Sequence, residues 1–519
     1  MPRGRRLLFL PLAFCLLAGL FASAGTSGTR KAAAPTTISF GVSEDAPKYA
    51  DDGGVLFRTI ADLGMTEDRV IVFWDENTPT TILEQAFLDR MMVGAAGTRI
   101  VLAIQPLHAQ AFARATAARV RAFADYVGQI ALRYPQVQDY VIGNEPNVNR
   151  FFQPQHNPDG TINSAVVYEQ ILAASYDTLK AIDPRIKVDG LAISPRGNDM
   201  GAGTGAESVS PVRFIAALGA AYRQSGRTTP IADVVDVHAY SNINTQPLTR
   251  PYQWPQAGAA DLDRLKQAWW DAFKGTAQPL FQETGEPTGA NRAYVKFRID
   301  ESGTQVKIDP TKVNPSLYSG RENVPTVDEV TQARYYTDLI GLIKCDPTVA
   351  TLDLFHLIDE PLLNGFQSGL LRVDDSRRPS YAAVKKAVAA AGTCPKPHRW
   401  RHTATVIGAR SVWNLKPKPA AQRTFWSKVG AGEEVTAQTG IFSANLGTPS
   451  AGTLRAALNG GFSTALMQLG GLVKANNVRS FKFSRLQLMP GRYVFAALLK
   501  ATMNPARTKL LVSKPFTIR

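Results

Sequence analysis

Two glutamates stand directly after short apolar runs, at the positions where strands would end. Glu145 follows the run Val137–Asn144, and Glu283 closes the run Pro279–Glu283. If both strands belong to one parallel barrel, their carboxyl ends meet at a common mouth. Hydrolysis of a glycosidic bond needs at least two carboxyl groups across a cavity. One protonates the leaving oxygen, and the other stabilises the positive charge that develops on the sugar. A salt-bridged rim without chemistry is the alternative.

The elements that would position these glutamates alternate along the chain. Amphipathic helical patterns such as Ala117–Arg133 and Ala165–Ile182 separate short β-branched runs. Eight such units over about 360 residues, with no glycine-rich nucleotide fingerprint after the first run, predict an α/β fold, a closed (β/α)8 TIM barrel over residues 35–394. The predicted strands are Thr37–Gly41, Arg69–Trp74, Arg99–Gln105, Val137–Asn144, Ile186–Leu191, Val234–His238, Pro279–Glu283 and Thr351–His356.

Beyond the barrel the pattern changes to short alternating segments separated by Gly and Pro turns. This predicts a smaller all-β, immunoglobulin-like sandwich domain over residues 402–519. From Pro395 onward the chain has 19 Lys and Arg residues against only Glu433 and Glu434, a net charge of +17, whereas residues 25–394 carry −5. The opposite charges indicate two domains with different partners. An anionic cell-wall polymer or a membrane surface is the expected partner of the basic domain. No nucleic-acid motif is present, so no nucleic-acid partner is predicted.

The first 24 residues have the pattern of a secretory signal peptide. Arg3, Arg5 and Arg6 precede the apolar stretch Leu7–Phe21, and Ala22-Ser23-Ala24 is a small-x-small cleavage site. An uncleaved membrane anchor is the alternative. The signal predicts a secreted protein, and the basic domain adds an expectation of cell-surface association.

Removing the signal leaves two cysteines, Cys345 and Cys394, each of which follows one of the last two helical patterns. Because thiols tend to oxidise outside the cell, we expect a disulfide between them. Parallel barrel helices would bring both thiols to the same, non-catalytic end. Two unpaired thiols are the alternative.

The motif Asn144-Glu145-Pro146 resembles the Asn-Glu-Pro signature of the clan A retaining glycoside hydrolases, and the chain looks most like families 5 and 39. The resemblance covers the barrel region. In that clan the acid/base and the nucleophile follow strands four and seven. The resemblance therefore implies that Glu145 is the acid/base, that Glu283, in a Gln-Glu-Thr-Gly setting like the clan's Thr-Glu-x-Gly, is the nucleophile, and that Asn144 binds the sugar 2-hydroxyl. It implies cleavage of β-linked poly- or oligosaccharides by double displacement.

Further residues extend the resemblance. Val237-His238-Ala239-Tyr240 is similar to the His-x-Tyr of several clan families, where the His lines the cleft and the Tyr hydroxyl steadies the nucleophile. Arg69 resembles an Arg that supports the nucleophile. The eighth run lacks the Trp that commonly forms the floor of the reactive-sugar site, so either Phe355 or His356 replaces it or the floor differs, and the sugar specificity stays open. Candidates for stacking on sugar rings are Trp74, Phe151, Phe152 and Trp254.

Several alternatives remain open from the sequence. Glu286, just beyond Glu283, and Glu360, after the eighth predicted strand, are alternative candidates for the nucleophile. The long segment Glu286–Thr326 is predicted to hold a hairpin, Tyr294–Asp300 and Thr304–Asp309 around Glu301-Ser302-Gly303, which is a lid or a wall of the cleft, or else a decorative insertion. No zinc-type cluster is present, so no metal or other cofactor is predicted. The alternatives to a hydrolase are a non-catalytic polysaccharide-binding barrel and a transglycosylase using the same two glutamates.

Overall fold

A computed structural model describes residues 34–35, 38–95, 97–287, 293–414, 424–460, 465–484 and 488–518. The predicted signal peptide, residues 1–24, lies outside this part of the chain. Among the residues described, no helix combines the length and the apolar character needed to cross a membrane.

Eight parallel strands close into a barrel, as the sequence predicts. Neighbouring strands pair in chain order, and the last strand returns to pair with the first. The carboxyl ends of all eight strands therefore surround one mouth. The barrel strands are β1 Ser39–Ser43, β2 Glu67–Trp74, β3 Arg99–Pro106, β4 Asp139–Ile142, β5 Lys187–Ile193, β6 Val234–His238, β7 Lys296–Glu301 and β8 Val349–Leu354.

Amphipathic helices cover the barrel. In α4, for example, Val120, Phe123 and Val127 face the core at three-to-four spacing, and the Thr116 hydroxyl caps the amino end by accepting from the Arg119 amide. The helices are α1 Ala46–Tyr49, α2 Gly54–Asp62, α3 Gln85–Gly94, α4 Ala117–Arg133, α5 Ser164–Ile182, α6 Pro211–Gln224, α7 Leu262–Phe273, α8 Glu329–Ile343 and α9 Pro379–Ala389 in the barrel, and α10 Ala451–Leu458 beyond it.

The predicted seventh strand is wrong. Pro279–Glu283 contributes only the isolated pairing of Phe281 with Val295, which lies just before β7 begins. The predicted hairpin around residues 301–303 is wrong for the same reason, because Lys296–Glu301 pairs with β6 on one side and β8 on the other. What looked like a lid over the mouth is therefore a wall of the barrel itself.

The lower interior of the barrel is charged. TIM-barrel interiors are usually filled with branched apolar side chains. Here the buried Arg298 guanidinium lies among carboxyl groups from five other strands, and Arg99 is the second guanidinium of the cluster. Two guanidinium groups cannot neutralise five carboxylates. The carboxyl groups are those of Asp189 at 2.8 Å, Asp139 at 3.4 Å, Asp353 at 3.6 Å, Asp236 at 3.9 Å and Glu67.

The excess negative charge should make stability depend on pH. Burial, reinforced by the neighbouring Glu67, raises the pKa of Asp353 well above its ordinary value. A raised carboxyl pKa contributes stability that is fully present below the unfolded-state pKa near 4 and is lost as pH rises through the folded-state pKa. We therefore expect Asp353→Asn to flatten the decline in melting temperature between pH 4.5 and pH 8, and to be more stabilising at pH 8 than at pH 4.5.

Melting curves of the wild type, Asp353→Asn and the exposed-carboxylate control Asp125→Asn at both pH values test this expectation. The control should follow the wild type. Equal slopes for the wild type and Asp353→Asn would show that Asp353 keeps its ordinary titration in the fold.

The predicted disulfide is confirmed. Cys345 and Cys394 are bonded, with their Cα atoms 5.3 Å apart and a sequence separation of 49. Cys394 also belongs to a two-residue strand, Thr393–Cys394, which pairs with Ala34–Pro35 and so joins the start of the barrel region to its end.

Removing the disulfide should destabilise the barrel. In the chain-entropy view a loop of this size contributes about 4 kcal/mol, with measured values commonly about 2–4 kcal/mol. We expect the double variant Cys345→Ser/Cys394→Ser to lose that free energy of unfolding in urea titrations. Reductant should bring the wild type to the same midpoint and leave the variant unchanged, and a variant that unfolds at the oxidised wild-type midpoint contradicts the expectation.

The all-β region contains two antiparallel sheets. Described strands of one sheet are β9 Arg410–Asn414, β10 Thr424–Gly430 and β13 Val478–Ser484, and those of the other are β11 Val435–Ser443, β12 Ala465–Val473, β14 Gly491–Ala501, β15 Thr508–Val512 and β16 Phe516–Ile518. Side chains from both sheets, including Val429, Phe483 and Phe495, form a core separate from that of the barrel. A β domain thus follows the TIM barrel, as predicted.

Candidate functional site

Glu145 lies at the mouth, directly after β4. The chain turns sharply there, with Gly143 at a φ of 83° and Glu145 itself at 37°. A positive φ is costly for a residue with a side chain and persists where the surroundings fix it. The Glu145 amide donates to the Ala192 carbonyl at 2.9 Å, which ties the turn to the end of β5. The carboxylate is thereby directed toward the ends of β6 and β7.

Glu301 ends β7 and faces the same space. One oxygen accepts a hydrogen bond from Arg69 Nη1 at 2.8 Å, and the other accepts from the Tyr240 hydroxyl at 2.9 Å. Two residues later, Gly303 packs so tightly that a Cβ would lie 2.3 Å from the Phe355 carbonyl oxygen. The glycine of the Glu-x-Gly sequence at residues 301–303 is therefore required for a steric reason, because a side chain at Gly303 would clash with the backbone that follows β8.

His238 joins the two glutamates. Its Nδ1 is 2.9 Å from Glu145 Oε1 and 3.3 Å from Glu301 Oε2. Because both oxygens contact one nitrogen, they are at most about 6 Å apart, which fits the separation of about 5–5.5 Å in retaining glycosidases and lies below the 6.5–9.5 Å of inverting ones. The two acidic side chains thus meet at the mouth from opposite sides of the barrel.

A positive charge between them explains how two carboxyl groups can lie so close. Burial alone would lower the pKa of His238, but Glu301 and the buried Asp300 outweigh it and raise the pKa to about 10. At neutral pH the imidazolium donates from Nδ1 to Glu145, and its Nε2 lies 3.4 Å from Asp300 Oδ1 in an ion pair. Asp300 is itself held ionised, because His238 and Arg69 outweigh its burial and lower its pKa.

Arg69 fixes the orientation of Asn144. Its Nη2 donates to Asn144 Oδ1 at 2.8 Å. Since a guanidinium only donates, the oxygen of the Asn144 amide must face Arg69, and its NH2 group faces the other way. The Asn144 amide is therefore set as a donor beside the Glu145–Glu301 pair.

A cavity of about 370 Å³ opens beside Arg69 and Ile71 of β2, against the segments that follow β1 and β8. His356 lines it, and its ring contacts the Ser43 carbonyl at 2.9 Å and Glu360 at 3.3 Å. Burial would lower the pKa of His356, but Glu44 and Glu360 raise it to about 9. A charged, buried imidazolium thus stands where the sequence predicts a replacement for the missing Trp.

Glu283 is not part of this site. It follows Phe281, which pairs at the amino end of β7, whereas the mouth lies at the carboxyl end of that strand. Its carboxylate instead contacts the amide and ring of His402, in the segment that leads to the β domain. Its placement at the end of the seventh strand is therefore wrong, and its predicted role as nucleophile rested on that placement.

The candidates for stacking on sugar rings lie in different surroundings. Trp74 is 1% exposed and packs against Phe112 and Phe123, so it cannot stack on a ligand, and the prediction for it is wrong. Trp254 lines a separate cavity between the barrel and the β domain, with Arg213 over its ring. Phe151 is half-buried beside the narrow cleft that includes Asn144, and its role in binding stays a prediction.

Sequence reasoning missed Glu301 and Asp300. The signal was present, because Phe297–Glu301 alternates in a strand-like way and ends in Glu-Ser-Gly, which also matches the clan's Glu-x-Gly. The position of Glu283 at the end of an apolar run and its Gln-Glu-Thr-Gly setting indicate Glu283 instead. The extended segment Tyr294–Asp300 is predicted as a hairpin arm and not as a barrel strand, and Arg298 and Asp300 are indeed unusual residues for the inside of a barrel.

Two acidic trios in the described residues have the spacing of metal ligands: Asp75, Glu76 and His108, and Asp263, Asp346 and His398. In the second trio the Lys266 ammonium lies 3.0 Å from Asp263 and 2.7 Å from Asp346, so a cation already occupies the centre. Neither trio includes Glu145 or Glu301.

A scan against protein-family models finds no match, and a search of curated proteins finds none. Solved structures similar to this chain include a family 39 glycoside hydrolase from the gut symbiont Bacteroides cellulosilyticus WH2, at 15% identity and a TM-score of 0.46 over 86% of this chain and 80% of that one. A monomeric beta-xylosidase from Caulobacter crescentus CB15 has 14% identity and a TM-score of 0.43 over 87% of this chain and 95% of that one.

GH5_18 from Streptomyces cattleya, in complex with GlcNAc, has 16% identity and a TM-score of 0.45 over 70% of this chain and 83% of that one. At these identities and TM-scores the similarity carries no argument about this chain. The function below is inferred from the site itself.

Proposed function

We propose that the barrel is a retaining glycoside hydrolase of the clan A type, with Glu145 as acid/base and Glu301 as nucleophile. The observation that carries the proposal is the approach of both carboxyl groups to His238 Nδ1 at the ends of β4 and β7. A carboxyl pair this close leaves no room for a water molecule to attack between the sugar and the second acid, so direct attack by Glu301 is favoured.

The chemistry follows from the contacts. Glu145 protonates the leaving oxygen while Glu301 attacks the anomeric carbon and forms a covalent glycosyl ester. Glu145 then takes a proton from water, the water oxygen bonds to the anomeric carbon, and the ester bond to Glu301 breaks. Arg69 and Tyr240 donate to Glu301 in its carboxylate form and hold it in place.

The polar side chains around the carboxyl pair also indicate the class of substrate. We propose a β-linked poly- or oligosaccharide whose reactive sugar binds at the mouth beside Glu145 and Glu301, with the Asn144 amide donating to its 2-hydroxyl and the cavity on the other side of Arg69 receiving the adjoining part of the substrate. The volume of about 370 Å³ is within the range of small-molecule sites. His356 and Glu360 supply a donor and an acceptor at the wall, a combination suited to sugar hydroxyls.

The stereochemical course of the reaction tests the proposal. Proton NMR of the first product formed from an aryl β-glycoside should show the β-anomer before mutarotation. Initial release of the α-anomer would overturn the double-displacement mechanism. A transglycosylase uses the same ester, so product analysis with and without an added sugar acceptor separates transfer from hydrolysis.

We also propose that the protein is exported, with residues 1–24 as signal peptide, 35–394 as catalytic domain and 402–519 as basic domain. The disulfide supports this proposal, because such bonds are rare in reducing compartments. Expression with and without residues 1–24, followed by assay of the culture supernatant, tests it. Equal amounts in both supernatants would contradict it.

A further inference from the structure

One face of the three-stranded sheet β9–β10–β13 is open to solvent. In β9, Arg410 and Val412 are exposed, whereas Trp413 between them is half-buried and stacks on Phe495 of the other sheet at 5.8 Å. In β13, Phe481 and Phe483 are buried and Lys482 is exposed. The alternation shows that the inner face covers the core, and we call the outer face the basic sheet face.

Strand register places three cations on this face. Lys428 lies directly opposite Val412, and Lys482 lies directly opposite Trp426. Arg410, Lys428 and Lys482 therefore run diagonally, one strand over and two residues along at each step. With strands about 4.8 Å apart and a rise of about 3.4 Å per residue, their Cα atoms are about 8 Å apart.

Acidic side chains do not balance these cations. Glu433 and Glu434 are the only acids beyond Pro395. Glu433 is buried against Arg507, and Glu434 lies 3.7 Å from Arg213 of the barrel. Within the described part of the domain, the basic sheet face thus has positive charge and no carboxylate.

The side chains on the basic sheet face indicate what kind of molecule would bind there. Lys482 Nζ lies 4.4 Å over the half-buried Trp426 ring, which places a cation and an aromatic surface within reach of one ligand unit. The exposed Val412 and Val478 sit on the two outer strands with Lys428 and Gly430 between them, so they form no continuous apolar patch for a membrane. A flat row of spaced cations suits an extended polymer with repeating acid groups.

We propose that the basic sheet face is a binding site for an anionic polysaccharide, with Arg410, Lys428 and Lys482 contacting its acid groups and Trp426 contacting a sugar ring. The site lies on the β domain and includes neither Glu145 nor Glu301. It does not depend on the proposed glycosidase activity.

The experiment uses the full-length mature protein and polygalacturonate as the polyanionic glycan. Affinity is measured by electrophoresis through gels containing the polymer, at about 50 and about 300 mM salt. Three samples are compared: the wild type, the face variant Arg410→Gln/Lys428→Gln/Lys482→Gln, and a charge-matched control, Arg121→Gln/Lys187→Gln/Lys514→Gln, which removes three exposed cations elsewhere. Melting curves confirm that each is folded, and turnover of a small aryl glycoside reports separately on the barrel.

We expect polymer binding by the wild type to fall steeply with salt. The face variant should bind at least about tenfold more weakly, while the control keeps most of the affinity. Equal loss in both variants would reduce the effect to net charge and overturn the assigned face. Binding to vesicles of phosphatidylcholine and phosphatidylglycerol but not to polygalacturonate would overturn the assigned partner, as would absence of binding to either.

Discussion

Glu301→Gln should abolish turnover, lowering kcat by about 10⁴-fold or more on an aryl β-glycoside, because the amide cannot form the glycosyl ester. The glutamine side chain has the same shape as glutamate and can keep part of the contacts with Arg69 and Tyr240, so the variant should still fold. Steady-state rates and melting curves of the purified variant measure both quantities. Azide, which is small enough to enter the vacated space, should restore turnover of Glu301→Ala or Glu301→Gly and yield an α-glycosyl azide.

The matched control is Glu283→Gln. Glu283 contacts His402 and not the pair at the mouth, so its substitution should leave kcat at the wild-type value and at most weaken the attachment of the segment near His402. If Glu283→Gln is the inactive variant and Glu301→Gln retains activity, the assignment of the nucleophile is reversed and the site described here is structural.

The loss of activity in Glu145→Ala should depend on the leaving group of the substrate. For substrates with a poor leaving group, kcat/KM should fall by about 10²–10⁴-fold, because departure of the sugar oxygen needs a proton. For an activated leaving group such as dinitrophenolate, formation of the ester needs no proton and should stay fast. The ester should then accumulate, which appears as a burst of phenolate followed by a slow steady state.

Rescue distinguishes an acid/base from a structural residue. Azide should relieve the slow second step of Glu145→Ala and give a β-glycosyl azide, the opposite anomer to that expected from the nucleophile variant. Losses of equal size across all leaving groups, without a burst, would contradict the role of Glu145 as acid/base.

Much of the fold could be predicted from local patterns. Seven of the predicted strands overlap those of the barrel, because β-branched runs separated by amphipathic helices have few other solutions. Asn144, Glu145, His238 and Tyr240 follow two of those strands, so the prediction brought them to one mouth. The pairing of Cys345 with Cys394 followed from the parallel direction of the last two helices.

Tyr294–Asp300 is predicted as a hairpin arm, but its place as the seventh barrel strand could not be predicted from hydrophobicity, since the inward positions hold Arg298 and Asp300. Their burial is compensated by partners from other strands, such as Asp189 for Arg298 and His238 for Asp300. Such long-range compensation leaves no trace in a local pattern. The Glu-x-Gly motif at residues 301–303 was visible, but its glycine is as compatible with a hairpin turn as with the close contact that the barrel requires.

The most direct measurement is covalent trapping. An activated 2-deoxy-2-fluoro β-glycoside slows both steps and lets the ester accumulate, after which proteolysis and tandem mass spectrometry locate the modified residue. The label is expected on Glu301, in the peptide that contains β7, with one sugar per chain. A label on Glu283 or Glu360 would contradict the account, because it would place the reacting sugar away from the carboxyl pair that His238 joins.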